Sequence, residues 1–295
     1  MAKSALSDSV FIFGPGRSGT TIFFRMLACH SEFGWLSNWN EKMPAVPQLS
    51  VFSRMRAHLD KPGSRKGIFR YFPVPGEAIA VPRRVTRSHF QSNSIITDAD
   101  VDSQAVDDYR EYLGTVLRWQ GKARLLHKHT GFARISFLSR VDPTAKFIRI
   151  VRDGRAVVNS LLNVSWWDGT MDTWWWDDMK PEYIEEYERS GKDSVVLAGI
   201  VWKTIMDMQE SEIAAAPGSA LLTVKYDDFV ADPKAKLRDS CEHAGVVFTE
   251  EFQRVTGTFR ITNQDSNWQK ELSKEQIDLL NKSLGGHLEG SGFAI

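Results

Sequence analysis

A glycine-rich turn near the start of the chain carries residues suited to hold a phosphate. It follows an apolar run at about 9–13 and consists of Gly16, Arg17, Ser18, Gly19, Thr20 and Thr21. The backbone N–H groups of such a turn, and the positive end of the helix that follows, stabilise an anion. The lysine of a Walker A loop, G-x-x-x-x-G-K-S/T, is missing, because Thr20 stands in its place. The pattern therefore favours a single 5′-phosphate over a triphosphate, with Arg17 adding a planar, permanently charged group.

A second junction of strand and helix offers another arginine. The apolar run at 145–151 is followed by Arg152, and the spacing of 153–163 predicts a helix with Asp153 as its N-cap. Ser160 lies on this helix, about two turns from its start. An arginine and a hydroxyl in this arrangement could hold a second phosphate, although the pair alone is a weak signal.

Together the two junctions resemble those of the PAPS-dependent sulfotransferases, which use 3′-phosphoadenosine 5′-phosphosulfate (PAPS). The first motif of that family, a strand followed by Lys or Arg and then Ser-Gly-Thr-Thr, matches 17–21 and implies a loop for the 5′-phosphosulfate. The second motif matches Arg152 and Ser160 and implies a clamp on the 3′-phosphate. The sequence of 147–157 is similar to the corresponding motif in the carbohydrate and tyrosine-directed branches of the family.

Two later segments extend the resemblance. The segment 224–233 is similar to a tyrosine-acidic segment of the family, which implies that Tyr226 lies near the adenine. The segment 267–272 is similar to a late segment with a tryptophan and a basic residue, which implies that Trp268 and Lys270 help to cover the nucleotide. The resemblance runs from about residue 9 to the end, with a gap from about 45 to 120, and its four motifs occur in family order.

The chemistry that the resemblance implies needs a group that takes the proton of the attacking hydroxyl, while 3′-phosphoadenosine 5′-phosphate (PAP) leaves. His129, with Lys128 beside it, approximates the Lys-x-His signature of the cytosolic branch, with the spacing off by one. In the carbohydrate branch the position reads Lys-Thr-Pro, which would match Lys128. Glu41 stands near the glutamate that serves as base in the tyrosine-directed branch. The resemblance therefore implies His129 or Glu41 as the base, with another residue left open. It also implies that Arg17 stabilises the leaving phosphate, with Lys128 as a helper, and that no metal is required.

The elements that must position these residues alternate along the chain. Strands are predicted at about 9–13, 123–128, 145–151 and 220–225. Helices are predicted at about 19–30, 104–119, 153–163, 195–215, 232–244, 249–255 and 273–284. This order predicts one α/β domain over 1–295, with a parallel sheet covered by helices on both faces and a P-loop-like nucleotide site. Ligands of such sheets bind beyond the carboxyl ends of the strands, where Arg17 and Arg152 both lie.

Two segments are candidates for the acceptor side. The segment 44–100 contains six prolines and several basic residues, and it is either a solvated excursion or a lid over the acceptor. The segment 166–176 contains five of the ten tryptophans. Such a cluster is more typical of core packing, but exposed members would suit a sugar, a lipid-linked alcohol, a cation or a membrane surface. A sugar or glycolipid hydroxyl is the first expectation for the acceptor, and a small hydrophobic alcohol is the second.

Net charge, cysteine spacing and apolar content argue against several classes of protein. The formal net charge is zero, which argues against a broad nucleic-acid-binding face. The two cysteines, Cys29 and Cys241, have no metal or redox spacing, and no apolar run reaches about 18 residues, so a cytoplasmic protein without a membrane span is expected. A P-loop kinase or NTPase and a non-catalytic protein that binds PAP or PAPS are the alternatives. The oligomeric state is left open.

Overall fold

Five short parallel strands form a single sheet at the centre of the molecule. The computed structural model describes residues 6–54, 72–86, 95–174, 176, 178–216, 218–262 and 266–295. The strands are β1 (Val10–Gly14), β2 (Phe33–Gly34), β3 (Arg124–Thr130), β4 (Lys146–Val151) and β5 (Ala220–Lys225). Their order across the sheet is β2-β3-β1-β4-β5. The predicted α/β class with a parallel sheet is confirmed.

The register of the sheet brings the predicted phosphate motifs to one edge. Central strand β1 lies between β3 and β4, and Gly14 at its carboxyl end pairs with Thr130 of β3. On the other side Phe13 pairs with Arg149, two residues before the end of β4. Because the strands are parallel, the segments that follow all of them emerge at the same edge.

Helices cover this sheet, and thirteen α-helices occur in the described part of the chain. The first six are α1 (Thr20–Leu27), α2 (Asn38–Lys42), α3 (Ala80–Val85), α4 (Ser103–Gln120), α5 (Ile135–Val141) and α6 (Gly154–Leu162). The remaining ones are α7 (Pro181–Arg189), α8 (Ser194–Ala215), α9 (Tyr226–Ala231), α10 (Pro233–Ala244), α11 (Glu250–Thr256), α12 (Trp268–Glu271) and α13 (Lys274–Gly290). Short 3-10 turns lie at Pro47–Phe52, Asp98–Asp100 and Met171–Thr173.

The alternation of side chains in β1 divides the core into two layers. Phe11 and Phe13 point to a cluster built mainly on α4 and α5, whereas Val10 and Ile12 point to a cluster built on α1 and α10. All four side chains are fully buried. A third cluster joins α6, α8 and α13 beyond the end of β4. The sheet is therefore buried on both faces, as its apolar strands predict.

The predicted strands and helices occur, and their ends lie within three residues of the expected ones, except that α13 was expected to end at 284 and ends at Gly290. Asp153 caps α6 by accepting a hydrogen bond from Arg155 N, and Gly245 ends α10 in the left-handed conformation at φ 70°. Sequence reasoning missed β2, which has two residues, and six short helices, α2, α3, α5, α7, α9 and α12. β2 and the five helices of four to seven residues are too short to show a reliable hydrophobic period. Helix α7 has nine residues and buries Tyr183 and Tyr187 on one face, and sequence reasoning overlooked this pattern.

The predicted lid at 44–100 is described only in part, since 55–71 and 87–94 lie outside the described residues. Its described portion contains α3 and a bridge between Ser37 and Pro75. That it forms a lid remains a prediction. In the described ranges, no helix combines the length and apolar character needed to cross a membrane.

Candidate active site

The loop between β1 and α1 is shaped by two left-handed residues. Arg17 has φ 68° and Gly19 has φ 80°. A Cβ atom on Gly19 would lie 2.1 Å from the ring of Tyr226, so only glycine fits there. Tyr226 thus packs directly against the loop, and the predicted segment at 224–233 contacts the first phosphate motif.

The interior of the loop has the donors that an anion needs. Helix α1 begins at Thr20, and its first turn closes with a hydrogen bond from Phe23 N to Gly19 O at 3.3 Å. The preceding N–H groups belong to the positive end of the helix. Ser18 is fully buried, and no described residue hydrogen-bonds its Oγ atom. Because buried hydroxyls are normally paired, this one fits a polar ligand held by the loop.

The two predicted phosphate motifs contact each other, although they are far apart in the chain. Arg17 Nε donates to Ser160 Oγ at 2.9 Å, and Arg152 Nη1 donates to the carbonyl oxygen of Arg17 at 2.9 Å. The Arg152 guanidinium also stacks 4.7 Å above the centre of the Tyr226 ring. Two guanidinium groups and a hydroxyl are thereby gathered at the carboxyl edge of the sheet.

Two cavities meet at Arg17. The first, called here the polar cavity, has a volume of about 620 Å³. It is lined by Arg17, Arg152, Ala156, Asn159, Ser160, Leu162, Asn163, Asn267, Glu271, Leu272 and Gln276. The second, called here the apolar cavity, has a volume of about 680 Å³. Its polar end contains Arg17, Glu77, Lys128, His129 and Thr130. Arg17 therefore lines both cavities.

The late segment lines the polar cavity with residues other than those predicted. Asn267, Glu271 and Leu272 line it, and Glu271 Oε2 accepts from Asn159 Nδ2 at 2.6 Å. Trp268 is instead buried beneath Arg155, with 4.3 Å between the guanidinium and the ring centre, and Lys270 is exposed. The segment thus borders the polar cavity, and the roles of Trp268 and Lys270 in covering a nucleotide stay predictions.

His129 lies at the polar end of the apolar cavity, on β3 opposite Phe13. Its side chain is 6% exposed. Burial, reinforced by the positive charges of Lys128 and Arg134 and by His127, lowers the pKa of His129 well below its ordinary value. The imidazole is therefore neutral at pH 7, which is the form that accepts a proton.

Glu77 is the functional candidate that sequence reasoning missed. Its carboxylate accepts from Lys128 Nζ at 2.8 Å, from Thr130 Oγ1 at 2.8 Å and from Thr130 N at 2.5 Å. Its carbonyl oxygen lies 2.7 Å from His127 Nε2. Burial lowers the pKa of His127 to about 4, so this ring is also neutral. The only signal in the sequence was that Glu77 falls within the segment expected on the acceptor side.

Glu41, the second predicted base, contacts the start of α3 rather than the cavity. It is exposed on α2, and its Oε2 atom accepts from Ala80 N at 3.0 Å, at the first residue of α3. Glu41 is not among the described residues that line the apolar cavity. Ile79, Pro82 and Arg83 around the start of α3 line it instead.

The tryptophan-rich segment divides between two roles. Trp166 and Trp176 line the apolar cavity. Trp167 is 7% exposed and packs in the core of α6, α8 and α13, with Trp174 partly buried against the same core. Trp175 lies outside the described residues. The segment therefore contributes to both the core and the cavity wall.

The chain belongs to the sulfotransferase family, since residues 9–250 match the model of that family. Solved structures with the same fold include the sulfotransferase STF9 from Mycobacterium avium, at a TM-score of 0.61 and 15% identity, with 98% of this chain and 78% of that chain covered. The sulfotransferase STF1 from Mycobacterium tuberculosis has a TM-score of 0.57 at 16% identity, with 96% and 78% covered. A sulfotransferase domain of the curacin biosynthetic pathway has a TM-score of 0.50 at 16% identity, with 96% and 99% covered. No curated protein sequence matches the chain. The family resemblance inferred from the motifs is confirmed.

Proposed function

We propose that the protein transfers the sulfuryl group of PAPS to the hydroxyl of a small-molecule, glycan or lipid acceptor and releases PAP. The observation that carries this proposal is the contact of Arg17 with both Arg152 and Ser160. It joins the loop expected to hold the 5′-phosphosulfate to the pair expected to clamp the 3′-phosphate. One nucleotide with phosphates at both positions would use the whole cluster.

The residues of the loop fit such a nucleotide. The buried hydroxyl of Ser18 and the start of α1 supply donors at one side of Arg17. Arg152 and Ser160 line the polar cavity on the other side. A kinase or NTPase is disfavoured because Thr20 replaces the lysine that would serve a triphosphate.

The transfer itself is an in-line displacement at sulfur. A bond forms between the acceptor oxygen and sulfur, the bond between sulfur and the 5′-phosphate oxygen breaks, and the proton of the acceptor hydroxyl goes to His129. Arg17 stabilises the negative charge that develops on the leaving phosphate. Lys128 supplies a second cation at the same end of the cavity, held in place by Glu77. We assign the base to His129 rather than Glu41, because His129 lines the cavity that Arg17 also lines.

Nucleotide binding tests the proposal before any acceptor is known. Thermal unfolding is measured with PAP, 5′-AMP, ADP, and ATP with magnesium. PAP at about 100 times its Kd should raise the free energy of unfolding by about 2.7 kcal/mol. Stabilisation by ATP with magnesium and none by PAP would contradict the proposal and favour a kinase.

Substitution of Arg152 locates the binding site. We expect Arg152→Ala to weaken PAP binding by about 1.5–3 kcal/mol, through the loss of a charge-assisted contact. The same change at exposed Arg189, on α7, is the matched control and should leave the Kd for PAP unchanged. Equal PAP affinity in the Arg152 variant and the wild type would remove Arg152 from the site.

A further inference from the structure

The apolar cavity has a polar end and a long apolar remainder. The groups that can exchange protons or stabilise charge are gathered around Arg17 and His129. The rest of the wall is largely hydrophobic and consists of Ile79, Pro82, Phe132, Val157, Leu161, Trp166, Trp176, Val201, Trp202 and Ile205. The lining also includes two further arginines, Arg83 and Arg134, and the loop residues Pro15, Gly16, Thr20, Thr21 and Gly131. Arg134 Nη1 lies 3.9 Å from Glu212 Oε1.

Two packed helices supply a continuous apolar strip along this wall. Val157 and Leu161 lie one turn apart on α6, and Val201 and Ile205 lie one turn apart on α8. Residues four apart share a face of a helix and span about 6 Å along its axis. All four side chains are buried in the third core cluster or against it. The strip is thus part of the packed core and keeps its shape when a ligand arrives.

Two tryptophans that line the apolar cavity are accessible to solvent. Trp166 is 46% exposed and Trp176 is half-buried, with the Trp176 ring 5.3 Å from that of Trp174. Large rings at a cavity mouth offer much apolar contact area. They extend the apolar wall toward solvent, and each adds a single hydrogen-bond donor, the indole N–H.

A sugar would be a poor fit to this strip. Each of its hydroxyls that left water without a partner would lose free energy, and the strip contains no side chain that hydrogen-bonds. A simple alcohol has only one hydroxyl, and the polar end of the cavity can hydrogen-bond it. A cavity of this volume also suits an organic molecule larger than a simple solvent.

We propose that the acceptor is a hydrophobic alcohol whose hydroxyl lies at His129 and whose extended apolar body lies along the strip of α6 and α8. This inference rests on the proposed sulfuryl transfer and names its substrate class. It reverses the order of the two acceptor classes that the sequence suggested, since the sugar was expected first.

A homologous series of alcohols tests the inference. PAP release from PAPS is measured with ethanol, 1-butanol, 1-hexanol and 1-octanol, and with methyl β-D-glucopyranoside as the sugar. We expect kcat/KM to rise about fourfold for each added methylene while the chain still covers the strip. A flat series, or a sugar that reacts better than 1-octanol, would overturn the inference.

Trp166→Ala tests the position of the apolar body, with Trp119→Ala as the matched control. The two rings are similarly exposed, at 46% and 42%, but Trp119 lies on α4. We expect Trp166→Ala to raise the KM for 1-octanol about tenfold while leaving the stabilisation by PAP unchanged. Trp119→Ala should change neither quantity. Equal effects of the two substitutions on KM would place the acceptor elsewhere.

The two proposals fail in different ways. A protein that is not stabilised by PAP and releases none from PAPS with any alcohol or sugar lacks the proposed function. A protein that binds PAP but sulfates only the glucoside keeps that function and contradicts the acceptor class. The remaining case is a protein that binds PAP but shows no turnover with any acceptor. For it, tryptophan fluorescence of the PAP complex is titrated with 1-octanol to detect binding of the alcohol. PAP binding with neither a fluorescence response nor turnover would also overturn the acceptor class.

Discussion

At the scale of single residues, His129 combines burial with a position at the end of a strand. Three positively charged or ionisable neighbours, His127, Lys128 and Arg134, disfavour its protonation in addition to burial. A base with a lowered pKa stays neutral over a wide pH range, at the cost of weaker basicity. The position in β3, rather than any unusual residue type, gives His129 this character.

His129→Asn should lower kcat by about 10²–10⁴-fold, the usual contribution of a general base, while PAP binding is retained. In the wild type, protonation of His129 removes the base, so kcat/KM should fall with decreasing pH only well below pH 6.5. Steady-state kinetics from pH 4.5 to 8 check both points, at about half-unit steps.

Glu41→Gln is the matched control for the base. The amide oxygen can still accept from Ala80 N, so α3 keeps its contact and kcat should stay near that of the wild type. A large loss of kcat in Glu41→Gln, with full activity in His129→Asn, would move the role of base to Glu41.

At the scale of elements, Glu77 fastens the described segment 72–86 to the carboxyl end of β3. The Lys128 side chain is 5% exposed and the Glu77 side chain 20% exposed, so their ion pair is largely shielded from water. Removal of one partner from such a pair leaves a buried charge without compensation. The contact therefore fixes both this segment and the orientation of Lys128.

Glu77→Ala should lower the free energy of unfolding by about 1–3 kcal/mol, since Lys128 and Thr130 lose their acceptor. It should also raise the KM for the acceptor, because the start of α3 lines the same cavity. Urea unfolding and steady-state kinetics measure the two effects.

Glu188→Ala is the control for an exposed ion pair. Glu188 and Lys192 are 57% and 62% exposed, and such pairs stabilise by about 1 kcal/mol at most. A Glu77→Ala variant as stable and active as Glu188→Ala would show that the segment is held by other contacts.

At the scale of the whole molecule, Asp207 joins α7, α8 and α13 behind the cavity wall. Its carboxylate lies 2.8 Å from His287 Nε2 and accepts from Lys180 Nζ at 2.8 Å and from Tyr183 OH at 2.5 Å. Burial acts to raise the pKa of Asp207, but these hydrogen bonds outweigh it and hold the pKa well below its usual range. The His287 ring in turn packs edge-on to Trp202, with 6.3 Å between ring centres.

The lowered pKa of Asp207 makes its contribution to stability dependent on pH. A carboxyl with a depressed folded-state pKa stabilises the protein above its unfolded pKa, about 3.9, and loses this effect as the pH falls below that value. Asp207→Asn should therefore cost about 1–3 kcal/mol at pH 7 and progressively less below about pH 4.

Urea unfolding at several pH values measures this difference, with Asp239→Asn as the control. Asp239 is 49% exposed beside Lys236, so its replacement should change the free energy of unfolding little at any of these pH values. If the difference in free energy of unfolding between the wild type and Asp207→Asn stays constant as the pH falls below about 4, the assigned role of Asp207 is contradicted.

The sequence by itself determined the two phosphate motifs and the class of fold. Each motif is a strand, a turn and a helix in immediate succession, so the residue types and spacing around Arg17 and Arg152 report local structure directly. A long amphipathic element such as α4 carries enough residues to show a helical pattern. The order of these elements was sufficient to predict a parallel sheet.

Only the tertiary structure decided which side chains meet between these motifs. Glu77 reaches Lys128 across 51 positions in the chain, and Arg17 reaches Ser160 across 143. The separation of cavity-lining Trp166 from buried Trp167 likewise depends on how the segment packs against α6 and α8. Short elements and loops have no period that predicts such contacts, because their positions are set by packing against distant parts of the chain rather than by neighbouring residues.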